Sequence, residues 1–141
     1  MSIVPSFNLN SFFTRALSLA ALTLVTPSVQ PALAGAQDYR FEMAGEPAKS
    51  GNATLIKVRL VHVPDGKAVS DAIVIQTKFD MAPEGMAEMA APAKTSATGE
   101  PGVYQVEAQP SMGGKWALTL SAKVQGEAET VRGTVVVPVP K

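Results

Sequence analysis

From Lys115 to Val124 the chain alternates with a period of two. Trp116, Leu118, Leu120, Ala122 and Val124 fall on one side, and Lys115, Thr119, Ser121 and Lys123 on the other. A helix needs apolar residues three and four apart, so this pattern specifies a strand with one buried face. The same period recurs along the chain. Thr54 to Val63 sets Ile56, Val58 and Leu60 against Lys57 and Arg59, and Ala72 to Phe79 groups Ile73, Ile75, Thr77 and Phe79. Val103 to Ala108 groups Tyr104, Val106 and Ala108, and Val131 to Val137 forms a last strand ended by Pro138 and Pro140. Tyr39 to Met43 and Ala93 to Thr98 alternate more weakly. Turn residues separate the runs: Pro64-Asp65-Gly66-Lys67, Gly99-Glu100-Pro101-Gly102, Gln109 to Gly114, and Gln125-Gly126-Glu127. No stretch after residue 34 carries helical periodicity. Short, evenly spaced strands of this kind predict an all-β fold, an immunoglobulin-like sandwich of about seven strands. Trp116 is expected between its two sheets.

The N-terminus reads as an export signal. Arg15 precedes the apolar run Ala16 to Val25, and Ala32-Leu33-Ala34 has the small-x-small form of a cleavage site. The run is too short to span a bilayer, and Pro27 and Pro31 follow it closely. Cleavage after Ala34, or else Ala36, is expected, followed by a lead-in over residues 35–52 with a first edge strand expected at Tyr39 to Met43, and a β domain over residues 53–141. A periplasmic or secreted location follows. All twelve acidic residues and eleven of the twelve basic ones lie after Ala34, which leaves a net charge of −1. That balance gives no footprint for nucleic acid or for an anionic membrane. Cysteine is absent, which excludes disulfides, thiolate metal sites and thiol catalysis.

One segment does not fit the strand pattern. Asp80-Met81-Ala82-Pro83-Glu84-Gly85-Met86-Ala87-Glu88-Met89 packs three methionines and three carboxylates into ten residues. Pro83 and Gly85 predict a loop. Methionine ordinarily fills gaps in a core, and Met81 keeps the phase of Phe79, which points it inward at the rim of the sheet. Thioethers are also soft ligands that select Cu(I). Met81, Met86 and Met89 are therefore candidate ligands, with His62 at a strand end as a further one. For His62 the competing reading is a hydrogen-bonded structural histidine. The carboxylates Asp80, Glu84 and Glu88 lack the dense Asp/Asn spacing and fixed glycine of a calcium loop.

Three pieces together resemble the YtkA-like/FixH-type family of small exported domains. They are the strand–turn–strand of Val58 to Val63, Asp65-Gly66-Lys67 and Ala72 to Phe79; the methionine-rich Met81 to Met89; and Pro101-Gly102-Val103-Tyr104 followed by Met112-Gly113-Gly114-Lys115-Trp116. The resemblance runs from Thr54 to Val137. It implies an immunoglobulin-like sandwich in the bacterial envelope, associated with copper handling or copper-enzyme assembly through an envelope protein partner. It also adds Met112 to the candidate ligands. The chain departs from membrane-anchored members by its cleavable signal, and from others by lacking histidines near the loop.

Catalysis has no foothold in the sequence. One histidine without a Ser–Asp partner gives no triad, and no glycine-rich phosphate loop is present. Two expectations remain: a non-enzymatic module that handles Cu(I), or a structural domain that docks on an envelope partner.

Overall fold

The computed structural model describes residues 35–141. The residues of the expected export signal, and its cleavage site after Ala34, lie outside them. Among the described residues, ten strands form two antiparallel sheets. β1 (Tyr39–Met43), β2 (Ala48–Ser50), β3 (Ala53–His62), β4 (Lys67–Ala68), β7 (Ala93–Ala97) and β8 (Val103–Ala108) make the first sheet. Its main order is β1-β3-β8-β7, with β2 and β4 also paired to β3. β5 (Ala72–Met81), β6 (Met86–Ala91), β9 (Gly114–Val124) and β10 (Thr130–Val139) make the second, in the order β10-β9-β5-β6. The two sheets face each other as an immunoglobulin-like β-sandwich. Several of the ten strands are short, which accounts for the excess over the seven expected.

The alternation read from the sequence is the burial pattern of the central strands. Ile56, Val58 and Leu60 from β3, Val106 from β8, and Trp116, Leu118 and Leu120 from β9 are fully buried. Trp116 stacks on Phe79 of β5, with ring centroids 4.8 Å apart. Its indole N–H donates to the Met112 carbonyl at 3.1 Å. No disulfide supports this core, so its stability rests on apolar burial and the strand ladders.

Three expectations change. The possible edge strand of the lead-in is a strand of the sandwich itself, because β1 pairs with β3 from Tyr39↔His62 to Met43↔Val58 and Phe41 enters the core. The sandwich therefore starts well before residue 53. In β5, Ile73 and Ile75 are not core residues: they are 69% and 56% exposed. Val74 pairs with Ala122 but Gln76 pairs with Ser121, so Ile75 is an extra residue in the ladder. This bulge shifts the phase by one. Ala72 and Val74 face inward before it, and Thr77, Phe79 and Met81 after it.

Pro138 does not end β10 as expected. It sits within the strand opposite Lys115, at a sheet edge, where a missing N–H leaves no ladder bond unmade.

Candidate functional site

The methionine segment begins where β5 ends. Met81 is 2% exposed and completes the core at the rim. Ala82–Glu84 form one 3-10 turn with Pro83 near its start, and Gly85 closes it in the left-handed conformation, φ +76°. Glycine adopts that geometry without steric cost. Strand β6 then starts at Met86, so the expected loop is a turn followed by an edge strand.

β6 does not lie flat against β5. Phe79 pairs with Ala91 and Asp80 with Ala90, but Met81 pairs with Met86. Ala87, Glu88 and Met89 are thus surplus to the ladder and bow outward. Gly85, Met86, Ala87, Glu88 and Met89 line an open hollow on this bow. Met86 is 40% exposed and Met89 37%. Both residues are open to solvent, whereas Met81, the ladder partner of Met86, is buried with its methyl toward Gly114 of β9.

The carboxylates of the segment have other duties. Asp80, almost fully buried, takes an ion pair from Lys78 Nζ at 2.7 Å and accepts from the Ala82 N–H at 3.0 Å. The Lys78 hydrogen bond holds its carboxyl below the usual aspartate range, and the Ala82 bond adds to this against the opposing effect of burial. Glu84 Oε1 accepts from the Lys115 N–H at 3.1 Å and ties the 3-10 turn to the start of β9. Glu88 alone shares the hollow with the two methionines. No cluster of three or more His, Asp or Glu suited to a metal ion occurs among the described residues.

Met112 occupies the same end of the sandwich but another depression. It is 48% exposed and borders Ala53, Thr54 and Val139. Its carbonyl anchors Trp116, so the backbone there is fixed by the core.

His62 belongs to the opposite end. Thr54, beside Met112, and His62 lie eight residues apart on β3, roughly 26 Å at the usual strand rise. There His62 Nδ1 lies 3.0 Å from Asp65 Oδ1, and its ring packs against Tyr39 at 5.1 Å between centroids. Asp65 is held below the usual range first by the Lys67 N–H it accepts from, then by His62. The structural reading of His62 is the one this geometry fits, and it does not join the methionines. Tyr39, in turn, donates its hydroxyl to Glu127 Oε1 at 2.8 Å.

The fold and the site define a small β-sandwich domain with an exposed methionine pair on a bowed edge strand. A family model described as YtkA-like matches residues 33–121, more than half of the chain, and the chain belongs to that family. The match starts earlier than the Thr54 expected from the motifs, in keeping with β1 being part of the domain, and stops within β9. No curated protein matches the sequence. Among solved structures, the chain is similar to one titled "Crystal structure of the Lin-41 filamin domain", at 19% identity and a TM-score of 0.39. That alignment covers 76% of this chain and 94% of the other.

Proposed function

We propose that the protein is an exported, non-enzymatic Cu(I)-binding module, periplasmic or secreted, that hands copper to an envelope protein partner. Copper is its cargo, not a catalytic group. The observation that supports this is the pair of exposed methionines, Met86 and Met89, lining the hollow of the β6 bow. Thioethers bind soft Cu(I) and bind hard ions poorly. They lose no proton on binding, so uptake is insensitive to moderate acidity. Two accessible sulfurs give moderate affinity, which suits delivery better than storage. Glu88 at the hollow adds a negative field that favours a cation. Met81 would serve as a third ligand only by turning its buried thioether out of the core, and Met112 belongs to a neighbouring depression.

The test is a competition titration with a Cu(I) chelator under reducing conditions. The parent protein is expected to take up one Cu(I), and Met86→Leu with Met89→Leu to lose at least tenfold in affinity while keeping its fold. Equal uptake by the double variant removes the hollow as the site. No uptake by the parent removes the copper reading and leaves a structural domain of the envelope.

A further inference from the structure

The chain holds six methionines and no cysteine. A thiol would be the first side chain to meet a two-electron oxidant. With none present and the indole of Trp116 fully buried, the thioethers take that place.

Among the described residues the methionines divide by burial. Met81 is 2% exposed, with its methyl toward Gly114, and an oxygen on its sulfur would put a polar group into the core. Met43 of β1 is half-buried and packs against the core. Met86, Met89 and Met112 are exposed. Of these, only Met86 and Met89 share a hollow, whereas Met112 borders another depression. Every residue from Met86 to Ala90 is exposed, and Ala87, Glu88 and Met89 have no partner in the β5 ladder. Both side chains can therefore become polar without displacing a core contact.

We propose that Met86 and Met89 form a reversible sulfoxidation site for hydroperoxides. The thioether sulfur attacks the terminal oxygen of the peroxide with a lone pair. The O–O bond breaks as the S–O bond forms. The proton of the transferred oxygen passes to the leaving oxygen, which departs as water or an alcohol. Sulfur gives up two electrons, and the peroxide takes them. The flexible apolar side chain becomes a polar one. With no thiol of its own, the chain cannot reverse the step. A thiol-dependent methionine sulfoxide reductase returns the two electrons and releases the oxygen as water. The consequence for copper rests on the Cu(I) reading of this hollow: oxidation replaces a soft donor by a group that presents a hard oxygen, and reduction restores the donor.

The experiment treats the metal-free exported protein with hydrogen peroxide and follows oxygen addition at each methionine by peptide mapping. Met86 and Met89 are expected to oxidise roughly tenfold or more faster than Met81, since susceptibility follows exposure. The denaturant midpoint and the Trp116 emission should stay as they were. The two sulfoxide reductases, one for each sulfur epimer, should return both residues to thioethers. Equal rates at Met81, unfolding when Met86 and Met89 are oxidised, or sulfoxides that the folded protein withholds from the reductases would each overturn the proposal. A Cu(I) titration tests the consequence separately. Uptake should weaken about tenfold or more after oxidation and recover on reduction. Unchanged uptake by the doubly oxidised protein overturns the link to copper. A parent that takes up no Cu(I) removes the copper reading together with that link, while the peptide map still decides the modification.

Discussion

The methyl group of Met81 lies 3.0 Å from where a side chain on Gly114 would begin. Gly114 has φ +142°, a conformation that L-residues rarely adopt. The first buried thioether of the methionine segment is thus seated on a glycine that opens β9. Gly114→Ala is expected to destabilise the fold by about 1–3 kcal/mol, mostly from backbone strain, since the Met81 methyl can shift. Urea unfolding measures this directly. Because the 3-10 turn is also pinned to Lys115 by Glu84, the variant should perturb the β6 amides as well as its own strand.

Trp116 links two parts of the same end. Its ring stacks on Phe79 with a 13° interplanar angle, and its N–H holds the Met112 carbonyl. Trp116→Ala is expected to cost about 3–5 kcal/mol. Trp116→Phe should cost less, because it retains much of the stacking while leaving the Met112 carbonyl without its donor. Denaturant midpoints give both values. The folded protein should emit as a buried indole, and emission typical of full water exposure would contradict the packing.

Much of this was legible in the sequence, and the exceptions have physical causes. β3, β8 and β9 bury the face that a period of two predicts, because each is paired on both sides and has no room to slip. β5 is paired along most of its length with β9 alone, and a bulge in that ladder reversed the expected faces of Ile73 and Ile75. Hydrophobicity alone carries no mark of a bulge. The turn at Pro83 and Gly85 was readable, but β6 was not: Met86 to Ala91 pairs with β5 at only three positions, and no alternation announces it. Met81 pointed inward as its phase required. His62 could be placed on a strand end, but only the pairing of β3 shows that this is the end away from the methionines.

At the end that holds His62, Tyr39 offers a spectroscopic probe. Its pKa is pushed up to about 12, first by burial and then by the hydrogen bond to Glu127. Because the folded value exceeds the ordinary one near 10, this residue's stabilising contribution is complete below pH 10. It is lost as pH rises toward and through 12. Ultraviolet titration of the folded protein should show delayed tyrosinate formation. Glu127→Gln should bring Tyr39 part of the way back, leaving the share due to burial.

Asp80 gives the opposite pH dependence at the methionine end. Its carboxyl titrates below the usual value of 3.8, chiefly because of the hydrogen bond from Lys78. A lowered folded pKa adds stability that is complete above the unfolded value and is lost as pH falls through the folded one. The loss should therefore appear below about pH 4. Asp80→Asn keeps an acceptor for the Ala82 N–H but removes the charge that Lys78 pairs with. At neutral pH the variant should be less stable by roughly 1.5 kcal/mol, the lower end for a hydrogen bond to a charged group. As the pH falls below 3.8 the gap between the two proteins should narrow. Denaturant midpoints across this range check the sign, and a gap that widens as pH falls would show that Asp80 does not hold the turn through its charge.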